Sequence, residues 1–243
     1  MNMNTNISID DMNIDMNIDK NILYIYGYGS SEESSTRKML QELLPDASVM
    51  STHYSQECPE KGLVELQEFV EKHCIDLIVG SSLGGWIAMH VASAMSLPCI
   101  LINPVTDESL LPTLELVTRE SPDSKMLDNY REYSELHPLF DQKPVDGQCR
   151  LECWDKSENG DVAALLWSDS DEVIRYEDDA KLDVNGMPLK LRENISAIDI
   201  IYDGKHRLTK EELQQHFIPV CHKLLTETLP KYRKFYNSTY IMN

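Results

Sequence analysis

Residues 77–86 read Leu-Ile-Val-Gly-Ser-Ser-Leu-Gly-Gly-Trp, an apolar run that leads directly into the pattern Gly-x-Ser-x-Gly. Ser82 is the central residue of that pattern, with Gly80 and Gly84 on either side. We expect a strand that ends abruptly, a helix that follows at once, and Ser82 on the tight turn between them. A Cβ atom at either glycine would collide with the neighbouring strand or helix. The pattern therefore predicts an exposed serine hydroxyl in the geometry that a nucleophile requires.

Apolar runs alternate with helix-periodic segments from Asn21 onward, a pattern typical of a parallel sheet with crossover helices. It predicts an α/β fold with a mostly parallel central sheet of about six strands flanked by helices. Besides the strand before Ser82, the predicted strands are Ile22–Tyr26, Ser48–Ser51, Cys99–Ile102, Val162–Trp167 and Ile198–Tyr202. The predicted helices are Ser34–Leu44, Lys61–His73, an amphipathic Trp86–Met95, and Lys210–Leu229 with Pro219 as an expected site of a kink or break.

The two least regular parts of the chain are its beginning and its middle. Residues 1–20 contain five Asn, four Asp and no aromatic residue, which predicts a mobile low-complexity tail before a single domain over residues 21–243. Residues 105–160 are polar and interrupted by prolines, so we expect one or two short helices and an irregular connection there. Asn185-Gly186 predicts a hairpin or turn.

Charge and cysteine content limit the classes of partner. A formal net charge of -19 argues against nucleic acid or an anionic membrane surface as a partner. The tail has no basic residue before Lys20 and no continuous apolar segment, so we expect neither a signal peptide nor a membrane span. The six cysteines form no disulfide framework, and Cys149 and Cys153 lack metal-site spacing, whereas Cys74 and Cys99 are expected to be buried. We therefore expect a cytoplasmic protein without metal or organic cofactor.

Three polar residues follow three predicted strands in the order serine, acid, histidine. Ser82, Asp171 and His206 each lie just past a strand, where they could form a proton relay: the histidine takes the serine proton and the acid orients the imidazole. His206 is favoured because the other six histidines lie too early, in helices or in residues 105–160. Ser81 is the neighbouring competitor of Ser82, but the glycine spacing excludes it as the central residue.

The acid has more than one candidate. Asp169 and Glu172 flank Asp171, and Asp203 lies close to the histidine in sequence. Asp171 is favoured because an apolar pair that re-enters the core follows Asp171 and Glu172, whereas Asp203 is interpreted as a turn residue.

An oxyanion on a substrate carbonyl needs two fixed N–H donors. The backbone N–H of Leu83 is one candidate because it follows Ser82 at the start of a helix. The other candidate is Tyr28, between Gly27 and Gly29 in the glycine-rich turn after the first strand.

These motifs resemble the α/β-hydrolase superfamily, and within it the compact bacterial YqiA-type esterases. The resemblance is carried by residues 23–31, 77–86, 101–104, 171–173 and 204–206. It implies an α/β-hydrolase fold with little or no lid. It also implies a serine esterase or thioesterase on a small acyl substrate, with Ser82, Asp171 and His206 as its triad.

Three positions depart from the family pattern. Tyr26, Ser170 and Lys205 stand where the family usually has His, Gly and Asp. None of these departures removes a member of the predicted triad. Tyr26 and the unusual segment 105–160 nevertheless favour one alternative, a catalytically silent α/β-hydrolase fold that binds or regulates. The sequence leaves the oligomeric state open.

Overall fold

The computed structural model describes residues 20–95, 97–105, 124–136, 163–174 and 197–228. In these residues six strands form one sheet: β1 (Asn21–Ile25), β2 (Ser48–Met50), β3 (Leu77–Ser81), β4 (Cys99–Ile102), β5 (Ala163–Ser168) and β6 (Ala197–Tyr202). All neighbouring pairs are parallel and the order is β2-β1-β3-β4-β5-β6. The predicted α/β fold with a parallel six-stranded sheet is confirmed.

The described helices are α1 (Ser35–Leu43), α2 (Pro59–His73), α3 (Leu83–Met95), α4 (Ser124–Leu136) and α5, which covers residues 210–228. Helix α5 is α-helical at Lys210–Glu212 and Ile218–Lys223, and π-helical at Leu213–Phe217 and Leu224–Thr228. It continues through Pro219 without a break. The π-helical turn directly before Ile218 changes the hydrogen-bond pattern at the point where the proline lacks an N–H.

The centre of the sheet is buried on both faces, as in other parallel sheets. Every residue of β4 and β5 is buried, and β3 is buried up to Gly80. Helix α3 packs against β1, β3 and β4 as well as α2. All ten residues from Leu83 to Ala92 are therefore buried, and the prediction that this helix is amphipathic is wrong.

The strand register brings the carboxyl ends of the central strands to one edge. Ser81 pairs with Ile102, Ile102 with Leu166, and Leu166 with Ile200. Because the strands are parallel, the loops that follow them emerge side by side. This edge is where an open α/β sheet binds its ligands.

The two cysteine predictions have different outcomes. Cys99 on β4 is buried, and burial raises the pKa of its thiol to about 12. Cys74 is exposed, so the prediction that it is buried is wrong. It forms the left-handed cap of α2, with φ of 50°, and precedes β3 instead of belonging to it.

Other predictions fall on residues that are not described. They are the tail up to residue 19, the turn at Asn185-Gly186, the pair Cys149 and Cys153, and most of segment 105–160. Lys20, the last residue of the predicted tail, accepts a hydrogen bond at its carbonyl from Ser48 N at 2.9 Å. In the described ranges no helix has both the length and the apolar character needed to cross a membrane.

Candidate active site

The sheet order itself points to a crevice between β1 and β3. From β1 the chain crosses to β2 on one side and then returns to β3 on the other, so the two strands form a topological switch point. Ligands of open α/β sheets bind outside the carboxyl ends of the strands at such a point. A turn at residues 27–30 follows β1, closed by Ser30 N donating to Gly27 O at 3.2 Å, and Ser82 follows β3.

Ser82 has a left-handed backbone conformation, with φ of 54°, at the junction of β3 and α3. Its N–H donates to Ile102 O at 3.0 Å, and its carbonyl accepts from Gly85 N at 2.8 Å and Val105 N at 3.0 Å. This conformation costs a non-glycine residue about 1–2 kcal/mol. Hydrogen bonds to both backbone groups offset that cost and hold the half-buried serine on its turn.

The glycines beside Ser82 are as closely packed as predicted. A Cβ atom on Gly80 would lie 2.4 Å from the Ala88 Cβ, and one on Gly84 would lie 2.4 Å from Ile25 O. Cβ atoms essentially never approach other heavy atoms closer than 3.0 Å. The two glycines therefore let α3 lie directly against β1 and β3, which fixes where the serine turn sits.

Asp171 and His206 form a hydrogen-bonded pair. Asp171 Oδ2 lies 2.7 Å from His206 Nδ1, and the two side chains are 1% and 11% exposed. The other carboxylate oxygen, Oδ1, accepts from Val173 N at 2.7 Å and Ile174 N at 2.8 Å. The backbone of the acid loop thus orients the carboxylate so that its second oxygen faces the imidazole.

The competing acids make different contacts. Asp169 accepts from Ser170 Oγ at 3.0 Å, and Asp203 is exposed. Glu172 Oε2 accepts from the backbone N–H of His206 at 3.1 Å and does not pair with the ring. Of the four acids considered, Asp171 is the one hydrogen-bonded to the imidazole.

Asn103 connects the serine turn to the histidine loop. It directly follows Ile102, whose carbonyl accepts from Ser82 N, and its own Nδ2 donates to His206 O at 2.9 Å. The structure therefore brings Asp171 and His206 into contact, with Ser82 at the same edge of the sheet. Their roles as a triad stay a prediction.

The turn after β1 lies against Ser82. A Cβ atom on Gly27 would be 2.9 Å from the Ser82 Cβ and 3.4 Å from its Oγ. Tyr54 Oη donates to Tyr26 O at 2.7 Å, and Gln56 Nε2 donates to Gly27 O at 3.1 Å. These two side chains, which the sequence analysis did not identify, fix the loop that carries the predicted oxyanion donor.

The two predicted oxyanion donors belong to the loop that lies against Ser82 and to the helix that follows Ser82. Tyr28 is half-buried in the loop after β1, and Leu83 is the first residue of α3. An N–H in the first turn of a helix has no carbonyl acceptor within that helix. Both N–H groups remain predicted donors.

An aromatic cluster joins α3 to α4, the helix within the irregular segment. Trp86 lies four residues after Ser82, and its ring centroid is 5.0 Å from that of Tyr130 and 4.0 Å from that of His90. Burial raises the pKa of the Tyr130 hydroxyl well above its ordinary value. Helix α4 thus packs against Trp86, a residue that lies one helical turn after the serine.

Metal chemistry has no obvious site in the described ranges. No group of three or more His, Cys, Asp or Glu side chains is placed there to hold a metal ion. The side chains of Asp171 and Asn103 are bound instead to the backbone and to other side chains.

Several solved structures are similar to this chain over most of its length. Est1E from Butyrivibrio proteoclasticus, solved with ferulic acid, is 13% identical with a TM-score of 0.52; the match covers 88% of this chain and 90% of that one. MGS-MChE2, an α/β hydrolase enzyme from a lagoon-sediment metagenome in Morocco, is 14% identical with a TM-score of 0.51, covering 86% and 91%. The bottromycin epimerase BotH is 13% identical with a TM-score of 0.50, covering 85% and 91%. At these identities the likeness shows the fold.

The family match is independent of these structures. Residues 21–186, more than half of the chain, match the model of the uncharacterised protein family UPF0227. The predicted resemblance to YqiA-type members of the α/β-hydrolase superfamily is confirmed. The chain therefore belongs to the UPF0227 family and has the α/β-hydrolase fold.

Proposed function

We propose that this protein is a serine hydrolase that cleaves a small carboxylic ester or thioester through an acyl-enzyme intermediate. The observation that carries the proposal is the combination of a left-handed Ser82 at the strand-to-helix turn with the Asp171–His206 pair at the same edge. A surface histidine would not need a buried carboxylate at 2.7 Å, and a solvated turn serine would not need glycines packed against backbone atoms.

The proposed reaction has two halves. Ser82 Oγ attacks the substrate carbonyl carbon and transfers its proton to Nε2 of His206, whose Nδ1 faces Asp171. The N–H groups of Leu83 and Tyr28 stabilise the negative oxygen of the tetrahedral intermediate. Collapse breaks the bond to the alcohol or thiol, which leaves with the histidine's proton. Water then repeats the sequence on the acyl-enzyme, releasing the acid and restoring the serine.

Hydrolysis of p-nitrophenyl acetate and butyrate, followed by p-nitrophenol release, tests the proposal. We expect wild type to turn over these esters and Ser82→Ala to lose the activity by about 10⁴-fold or more, because triad members act as a unit. The matched control is Ser81→Ala, which removes the adjacent hydroxyl and its hydrogen bond to Tyr24 Oη at 2.7 Å. This control should keep most of the activity. Equal loss in both variants would show that the spacing argument for Ser82 is wrong.

Two further outcomes separate the alternatives. A folded wild type without turnover of any short-chain ester would favour the silent binding or regulatory protein. Turnover that forms a new ester or thioester when a competing alcohol or thiol is added would favour acyl transfer over hydrolysis.

The proposed substrate class is a small acyl ester or thioester, and the proposed location is the cytoplasm. The four free cysteines in the described residues are compatible with that location.

A further inference from the structure

Side chains from other segments bind the backbone of the loop that carries His206. Ser168 Oγ donates a hydrogen bond to Gly204 O, and Asn103 Nδ2 lies 3.3 Å from Lys205 O and 2.9 Å from His206 O. Glu172 Oε2 accepts from His206 N at 3.1 Å. Both backbone groups of His206 are therefore bound by side chains from other loops.

Asn103 is built into the protein at some energetic cost. It is completely buried and has a positive φ of 43°, a conformation that asparagine tolerates better than most residues. Its Oδ1 accepts from Ser168 N at 2.7 Å, and its Nδ2 also donates to Tyr202 Oη at 2.7 Å. Only an amide supplies an acceptor and two donors in one short side chain. This amide links the end of β5 to the histidine loop.

Glu172 reaches the same residue from the acid loop. Desolvation by itself would raise the pKa of the Glu172 carboxyl. Hydrogen bonds from backbone N–H groups, including that of His206, and the nearby charges of His206 and Lys205 lower it below its ordinary value. Because Glu172 directly follows Asp171, one short segment binds both the ring and the backbone of His206.

We propose that Asn103 and Glu172 are positioning residues that clamp the backbone of His206, one at its carbonyl and one at its N–H. The inference rests on the proposed function, because a fixed imidazole matters for rate when that imidazole moves a proton. Neither residue needs to touch the substrate. A displacement of 1 Å in a catalytic group costs about 100-fold in rate, so loosening either side of the clamp should lower kcat while leaving KM nearly unchanged.

Glu172 gives the cleaner pair of variants because it lies near the surface. Glu172→Ala removes the acceptor for His206 N and should lower kcat about tenfold with KM changed less than twofold. Glu172→Gln keeps an oxygen acceptor in the same place and should restore most of the rate. A purely structural role would not predict this rescue. Equal kcat values in wild type and Glu172→Ala would overturn this half of the clamp.

Asn103 is tested by Asn103→Asp and Asn103→Gly. The aspartate keeps the acceptor for Ser168 N but places oxygen against the carbonyls of residues 205 and 206, whereas glycine removes the side chain and tolerates the positive φ. Each should lower kcat about 100-fold. The matched control is Gln41→Glu, which also replaces an amide with a carboxylate. Gln41 Nε2 donates to Ala47 O at 2.8 Å and to Leu44 O at 3.2 Å. These contacts lie beside the start of β2, at the opposite end of the strands from the candidate site. That control should leave kcat within twofold of wild type.

Amide hydrogen exchange keeps the test independent of turnover. In wild type the N–H of His206 should exchange slowly, and Glu172→Ala should accelerate its exchange at least tenfold, whereas Glu172→Gln and Gln41→Glu should not. If wild type hydrolyses no ester but this exchange pattern holds, the proposed function fails and the clamp stands. The opposite case is an active wild type in which Glu172→Ala and a folded Asn103 variant change neither the exchange of His206 N–H nor kcat. That result would refute the clamp and leave the proposed function standing.

Discussion

Gly84→Ala is the sharpest perturbation of the serine turn. A Cβ atom at this position would lie 2.4 Å from Ile25 O and 2.5 Å from Tyr26 O, both backbone atoms at the end of β1. Neither oxygen can rotate away as a flexible side chain would. To reach even the 3.0 Å limit, α3 and β1 must separate by at least 0.6 Å (3.0 minus 2.4) at this contact.

The expected loss of stability follows from two opposing effects. Forcing an extra carbon into a well-packed core costs about 1–3 kcal/mol, and two backbone contacts place this site at the upper end. Alanine returns about 1 kcal/mol because it is a better helix former than glycine. The net loss is about 2 kcal/mol. For a chain of this length, that lowers Tm by roughly 4–8 °C.

Function should change together with stability. Separating α3 from the end of β1 moves Ser82 away from the loop at Gly27, so labelling by a fluorophosphonate should slow about tenfold or more at a temperature where the variant is folded. Val70→Ala, a buried truncation near the far end of α2, should cost about 2 kcal/mol without slowing the labelling. A Gly84→Ala protein with unchanged Tm and unchanged labelling rate would refute the close packing of α3 on β1.

Three other predictions concern the histidines and the beginning of the chain. His206→Ala should lower ester hydrolysis by about 10⁴-fold or more, whereas His222→Ala on α5 should not; retained activity in the first variant would remove His206 from the relay. Deleting residues 1–19 should change Tm by less than about 2 °C, because the predicted tail precedes the first strand; a larger drop would show that it is packed. Burial lowers the pKa of His216 from its ordinary 6.5, against the opposing charge of Glu212. The folded-state pKa is thus below the unfolded value, so the stability that the neutral ring contributes is present above pH 6.5 and is lost as pH falls through the folded pKa. Denaturant unfolding should show that wild type loses more stability than His216→Gln between pH 8 and pH 5, and equal losses would contradict the shift.

The strand positions were predictable from the sequence because buried parallel strands are short continuous apolar runs. The prediction for β4, Cys99–Ile102, matches the structure residue for residue, since Asn103-Pro104 ends the run. For β1, the prediction ended at Tyr26, one residue too late, because the pairing with β3 stops at Ile25 opposite Gly80. Tyr26 is the same residue type as Tyr24 within the strand, so hydropathy alone could not mark that end.

The start of α3 was not predictable from local preference. The prediction began at Trp86, but the helix begins at Leu83 and includes Gly84 and Gly85, both poor helix formers. The same glycines are required by contacts with β1 and with Pro104, which are distant in sequence. Tertiary packing overrode the local preference here.

At the candidate site, the sequence indicated which residues follow the strand ends, but it could not show the long-range hydrogen bonds between them. The order of Ser82, Asp171 and His206 follows from strand ends and motif spacing, and the choice of Asp171 over Glu172 agrees with the ring contact. The role of Asn103 depends on contacts with residues about one hundred positions away. In the sequence, Asn103-Pro104 marks the end of the β4 run, but no periodicity or spacing connects Asn103 to the histidine loop.

The central claim is that the Ser82 hydroxyl is an activated nucleophile. Mass spectrometry of the protein after reaction with a fluorophosphonate, followed by peptide mapping, tests it most directly. We predict one adduct per chain, on Ser82, absent from Ser82→Ala and strongly reduced in His206→Ala. A folded wild type that forms no adduct, or one whose adduct maps to another residue and persists in Ser82→Ala, would contradict the claim.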